Sequence, residues 1–176
     1  MSADTLRSLI RSVPDFPKPG IMFRDITTLI GNGPALQECV ELLYAHYRDD
    51  SISAVVGIES RGFIVGAALA VRLGVGFVPI RKPGKLPAAT LRKEYALEYG
   101  TDAVEIHRDA LPKGARVLLH DDLLATGGTI AAACSLLEQM DVRIVGLAFL
   151  IELSFLNGRG RLGDRDVFSL VRYDAE

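Results

Sequence analysis

The chain has 176 residues, 22 acidic against 20 basic, with a net charge of -2 and 49% apolar residues, which suits one domain built on a single core. So small a net charge excludes bulk attraction to nucleic acid or to an acidic membrane, and leaves charge recognition to local clefts. Two cysteines, Cys39 and Cys134, fall in helical stretches and read as lone buried thiols, and no apolar run looks like a signal peptide or is long enough to span a bilayer, so a reducing, cytoplasmic setting is expected.

In chain order, the spacing of Leu6, Leu9, Ile10 and Val13 predicts a short helix over 5–13 that Pro14 ends. The Pro-rich run Asp15 to Asp25 follows. A stiff loop of this kind can hold a flat ligand at little ordering cost; an ordinary ordered surface loop is the alternative. Pro34 opens a helix to about Arg48, striped by Leu36, Val40, Leu43 and Tyr47, with His46 at its surface. Ala54 to Ile58 is a buried parallel strand, and Gly62 to Leu73 a helix stopped by Gly74. Between them, Glu59-Ser60-Arg61-Gly62 lies at a strand's carboxyl end, where its amides and Arg61 can take an anion; a helix cap with a solvated arginine is the rival reading.

The strand Phe77 to Ile80 delivers the basic loop Arg81-Lys82-Pro83-Gly84-Lys85-Leu86-Pro87. Its three cations suit a polyphosphate, against the alternative of a solvated charge run, and its place beside other anion loops favours the polyphosphate. From Leu91 to His107 the pattern has period two, with Gly100-Thr101-Asp102 as the turn, which predicts a hairpin flap with His107 on its outer face.

The richest stretch is Val117 to Thr129, read as strand, loop and helix start. Gly127 and Gly128 let a ligand approach the main chain, the following helix turns free amides toward the loop, and Thr126 and Thr129 add hydroxyl donors. Asp121 and Asp122 only accept hydrogen bonds when ionised. A sugar phosphate satisfies both halves, with its phosphate in the Thr/Gly loop and its hydroxyls against the carboxylates; a capped βα turn is the alternative. Helix to Met140, strand Val142 to Leu153 and strand Val167 to Tyr173 complete the chain. Gly158 to Gly163 fits G-x-G-x-x-G, but too little chain remains for a dinucleotide fold, so it is read as a connecting loop.

Two acids, two apolar residues and Ala125-Thr126-Gly127-Gly128-Thr129 resemble the phosphoribosyl-pyrophosphate (PRPP) signature of type I phosphoribosyltransferases. Ala125 stands where relatives acting on 6-oxopurines usually carry an acid, and Asp15 to Ile26, Ile80 to Pro87 and Leu97-Glu98-Tyr99-Gly100 resemble the adenine phosphoribosyltransferases. The resemblance covers nearly the whole chain and implies an α/β fold with a central, mostly parallel sheet flanked by helices, in a single domain. Residues 1–33 would form an adenine-binding hood and 86–107 a flexible catalytic flap. It implies transfer of 5-phosphoribosyl from PRPP to adenine, with Mg2+ carried by PRPP and no direct protein ligand, in a homodimer. The sites it implies are Met22, Phe23 and Arg24 for adenine and Ser60, Arg61, Arg81, Lys82 and Lys85 for pyrophosphate. Asp121, Asp122 and Ala125 through Thr129 would hold PRPP or AMP, and Glu98, Tyr99 and Arg61 would be catalytic, Glu98 as proton acceptor. The remaining alternatives are another purine as acceptor and a non-catalytic PRPP or nucleotide sensor. His120 departs from the family, where an aliphatic residue is usual, and reads as a neutral core histidine.

Overall fold

The computed structural model describes residues 2–96 and 100–175. Five strands form one parallel sheet in the order β4-β3-β7-β8-β9: β3 Ala54–Ile58, β4 Gly76–Ile80, β7 Arg116–Leu124, β8 Arg143–Leu153 and β9 Val167–Tyr173. Both faces are covered, which is why these strands are apolar almost without interruption. Along β7, Val117 and Leu119 enter the core on one face and Leu118 the core on the other, the two-residue alternation of a strand. Helix α5, Gly128–Gln139, covers the first face with Ile130, Ala133 and Leu137; α3, Gly33–Tyr47, and α4, Arg61–Leu73, cover the second with Leu43, Tyr47, Val65 and Leu69. Each fully buried side chain of Leu69's size contributes roughly 1.5 to 3 kcal/mol.

Glycines set how closely helix and sheet approach. A Cβ on Gly62 would lie 3.0 Å from Asp121 Oδ1, and one on Gly66 3.2 Å from the His120 ring. Helix α4 therefore rests directly on the end of β7. Gly74 closes it at φ 72°, a left-handed cap that favours glycine.

Chain order reverses between β3 and β7: from β3 the chain moves outward to β4, and from β7 to β8 and β9. The crevice at the carboxyl ends of these two central strands is a topological switch point, where open α/β sheets bind ligands. Over it stands the hairpin of β5, Thr90–Ala96, and β6, Thr101–His107. The expected turn at Gly100-Thr101-Asp102 is corrected in part: Thr101 and Asp102 are strand residues opposite Ala96 and Tyr95, and Gly100 stays outside the strands. His107 takes a hydrogen bond from Ala88 N at 3.3 Å.

The N-terminal expectation is also corrected. Helix α1 spans only Ala3–Ser8, capped by Ser2, and Arg11–Val13 is strand β1, antiparallel to β2, Phe23–Asp25. The Pro-rich segment folds back on itself, so pairing with β2 and the Arg11 to Asp25 ion pair outweigh the helical spacing of Val13. Asp25 then accepts from Thr27 N at 2.9 Å and starts α2, Thr27–Ile30. Cys39 and Cys134 are buried free thiols, as expected. Among the described residues, no helix is long and apolar enough to cross a membrane.

Candidate active site

Three loops meet at the switch point. The loop leaving β7 is shorter than the sequence implied, because Asp121 to Leu124 remain in the strand, paired with Phe149 to Glu152 of β8. The carboxylates are thus fixed by the sheet instead of a flexible loop. Gly127 caps α5 at φ 83°, presenting the first-turn amides of a 12-residue helix to the crevice. These residues line a cavity of about 250 Å3 that also takes in Glu59, Arg61 and Lys82.

Asp122 is almost wholly buried, and Arg61 Nε forms an ion pair with its Oδ2 at 2.9 Å. Asp121 accepts from the Asp122 backbone N–H at 2.9 Å. Burial and the neighbouring Asp122 charge push the Asp121 carboxyl well above the usual carboxylate range. Burial raises Asp122 as well, opposed by Arg61. Two adjacent carboxyls with a single guanidinium between them are under-compensated, so hydroxyl donors or a cation-bearing ligand relieve them.

The expected pyrophosphate residues divide. Arg61 and Lys82 line the cavity with the Asp pair and Ala125 through Thr129, whereas Ser60, Arg81 and Lys85 stand off its wall. Ser60 is the N-cap of α4, and Lys85 is exposed. Arg81 Nε donates to Glu59 Oε2 at 2.7 Å. Phe23 lines an adjoining apolar cavity of about 380 Å3 with Val13 and Phe16, and Arg61 borders both cavities. Phe16 meets Phe23 edge-on at 5.1 Å. Met22 lies apart, on the Pro-rich loop, and the Arg24 guanidinium bonds Ser12 and stacks 4.1 Å from the Tyr173 ring. Glu98 and Tyr99 lie outside the described residues.

Sequence reasoning missed Tyr95 and Asp102. Tyr95 Oη accepts from Lys82 Nζ and from Thr129 Oγ1, both at 3.2 Å, and donates to Asp102 Oδ2 at 3.3 Å, while Lys82 and Asp102 form an ion pair. Four segments of the chain thereby converge on one phenol. Their period-two strand pattern marked them only as flap residues. His120 is buried with Nδ1 2.9 Å from Ala148 O and, among the described residues, no hydrogen-bond partner at Nε2, the neutral core histidine expected; burial lowers its pKa to about 4.

A family model described as a phosphoribosyl transferase domain matches residues 27–172. The adenine phosphoribosyltransferase of Chloroflexus aurantiacus is 65% identical over 98% of this chain and 100% of its own length, and that of Acaryochloris marina is 60% identical over 96% and 99%. The chain belongs to the adenine phosphoribosyltransferase family. Its α/β fold is that of the type I phosphoribosyltransferases. Among solved adenine phosphoribosyltransferases, that of Thermoanaerobacter pseudethanolicus superposes with a TM-score of 0.95 at 48% identity, covering 98% of this chain and 100% of the other. The Saccharomyces cerevisiae enzyme, solved with an imino-altritol bisphosphate and adenine, gives 0.91 at 40% identity, covering 96% and 98%. In this adenine phosphoribosyltransferase family member, the Thr/Gly loop with its acid pair stands beside an apolar cavity, and Arg61 borders both.

Proposed function

We propose that this chain transfers the 5-phosphoribosyl group of PRPP to adenine, giving AMP and pyrophosphate in purine salvage. The observation that carries the reading is the single cavity in which Gly127, Gly128 and two threonine hydroxyls stand beside the Asp121–Asp122 pair, with Arg61 and Lys82 opposite. In it, the 5-phosphate takes the amides and hydroxyls of Ala125 to Thr129, and the ribose hydroxyls donate to the two carboxylates. Arg61 and Lys82, joined by Ser60, Arg81 and Lys85, hold the leaving diphosphate; each charge-assisted hydrogen bond contributes roughly 1.5 to 3 kcal/mol when desolvated. Adenine packs on Phe23 and is held by the backbone of Met22 to Arg24, with its amino-acid wall completed by the hood, residues 1–33.

As the anomeric carbon parts from diphosphate, it gathers positive charge that Asp121 and Asp122 stabilise from beneath. Glu98, in the flap of residues 86–107, accepts the proton lost by the attacking adenine nitrogen, and Tyr99 closes the site against water. Mg2+ fits this donor set, since the under-compensated oxygen pair favours a hard cation. Carried in by PRPP, the ion would supply charge neutralisation for the leaving diphosphate, while Asp121 and Asp122 hold the ribose hydroxyls. On the same reading the enzyme is a cytoplasmic homodimer of one-domain subunits, and the exposed Ile64 and Val71 on α4 are apolar surface that a second subunit can cover.

The test is to mix protein, PRPP and Mg2+ with adenine, hypoxanthine or guanine and measure diphosphate release. Release with adenine alone supports the reading. Release with another purine moves the specificity, and binding of PRPP without turnover for any base makes the chain a sensor.

A further inference from the structure

The turn that follows β8 carries the Gly-Arg-Gly-Arg sequence that suggested a nucleotide motif, and its position gives it a different part to play. A Cβ on Gly158 would fall 2.2 Å from the Ala125 carbonyl oxygen, and one on Gly127 would fall 2.6 Å from the Gly158 carbonyl oxygen. Both are closer than any real Cβ approaches backbone. The anion loop and the turn 158–161 are therefore packed main chain to main chain, with no side chain between them to absorb a shift.

What holds the turn is an ion pair with a buried carboxylate and a half-exposed guanidinium. Glu152 is 2% exposed and sits on β8 directly beside Leu124, the last residue of β7. Its carboxylate takes Arg159 Nε at 2.6 Å and Nη2 at 2.7 Å, a two-pronged fork, and Ser169 Oγ of β9 at 2.9 Å. Arg172 of β9 adds a more distant charge at 3.7 Å. The fork fixes Arg159 in distance and in plane, as a bidentate guanidinium does, and Gly158 is the residue before it. The chain of contacts runs from the sheet through Glu152 and Arg159 to Gly158 and so to Gly127.

We propose that Glu152 and Arg159 are positioning residues that set the anion loop, through Gly158, at the spacing a phosphate monoester requires. The inference rests on the reading of residues 125–129 as the seat of the 5-phosphate. A positioning role predicts that loosening the fork weakens ligands bearing that phosphate and spares adenine, which packs elsewhere. A merely structural role predicts fewer folded molecules, with the survivors binding both ligands normally.

Removing Arg159 alone leaves the buried Glu152 carboxylate uncompensated, whereas replacing both halves with neutral side chains of similar size is often tolerated. The Glu152→Gln/Arg159→Met double variant therefore keeps the test readable where a single variant fails to fold. Calorimetry of AMP and of adenine binding to folded protein is expected to give about a tenfold loss for AMP and less than twofold for adenine. Arg159→Lys, which keeps the charge and loses the fork, should recover part of the loss. Gly158→Ala should lose AMP binding at least as far. Unchanged AMP affinity in folded double variant, or equal losses for AMP and adenine, overturns the inference. The Thr126→Ala/Thr129→Ala variant separates the two readings: if it weakens AMP and the fork variants do not, the positioning role alone fails. If it too leaves AMP binding unchanged, the phosphate seat itself is wrong and the positioning role falls with it.

Discussion

Lys82 of the basic loop is ion-paired with Asp102 of the hairpin, and both meet at the hydroxyl of Tyr95. The cation proposed for the leaving diphosphate thus already has an anionic partner. A diphosphate must compete with Asp102 for it. Pairs as exposed as this contribute about 0.2 to 1 kcal/mol, so Asp102→Asn is expected to lower the KM for PRPP by up to about fivefold. Lys82→Ala should raise it at least tenfold. Steady-state kinetics at fixed adenine checks both, and a higher KM in Asp102→Asn would show that Asp102 aids binding instead of opposing it.

Turnover and stability should move in opposite directions at Asp121. Replacing Asp121 or Asp122 by its amide removes a full acceptor for the ribose and is expected to cut kcat at least tenfold. In the ligand-free protein the Asp121 carboxyl is held above its unfolded value, so the folded state binds the extra proton; its stabilising share is present at low pH and is lost as pH rises through the raised pKa. Asp121→Asn lacks that loss. Its Tm relative to the parent should therefore climb from pH 4 to pH 7, at roughly 2 to 4 °C per kcal/mol for a chain of this size. Melts of both proteins across that range decide it.

His120 has the opposite sign. Folding lowers its pKa from 6.5 to about 4, so the unfolded chain takes up a proton that the folded one refuses, and stability is lost as pH falls from 6.5 toward 4. At about 1.4 kcal/mol per pH unit, the loss reaches ~3 kcal/mol. His120→Val removes both this loss and the unpaired Nε2, at the cost of the donor to Ala148 O. The variant should lie within about 1 kcal/mol of the parent at pH 7 and be clearly more stable at pH 4.5 in denaturant titrations.

Gly62 tests the contact between α4 and β7. An added methyl would meet Asp121 Oδ1 at 3.0 Å and the Asp121 Cα and His120 carbonyl at 3.2 Å, and backbone there cannot turn aside. Gly62→Ala should destabilise by about 1 to 3 kcal/mol and lower kcat by displacing Asp121. A variant with parental Tm and kcat would mean the helix can lift without cost.

Glu98→Gln should bind PRPP as the parent does and lose turnover, because the amide cannot take the proton from adenine. Equilibrium binding of PRPP beside single-turnover kinetics distinguishes this from a flap that no longer closes. Full activity in the variant would assign the proton elsewhere.

Where the sequence was readable, one physical pattern governed each segment. The apolar runs of β3, β7 and β8 announce buried parallel strands, and Gly74 marks the end of α4 because few other residues accept its backbone angles. It misled where two patterns overlap. Val13 fits the stripe of a helix as well as the face of β1, and only pairing with Phe23, ten residues on, decides between them. Asp121 and Asp122 looked like loop because acids interrupt the apolar run, yet a central strand can end in polar residues where its sheet opens onto a crevice. Tyr95, Asp102, Glu152 and Arg159 were silent for a different reason. Their roles come from partners 7 to 34 residues away, and no local spacing encodes such a meeting.

Arg81 and Glu105 exchange two main-chain hydrogen bonds, at 2.9 and 2.7 Å, and the nearly buried Glu105 carboxylate also receives Gly84 N–H at 3.1 Å. The root of the hairpin is thereby stitched to the basic loop. In the proposed flap motion, the pivot is expected outboard of that seam, on the far side of Glu105. Arg81 can then stay docked on Glu59 while product departs, so the pocket need not be rebuilt for each new turnover.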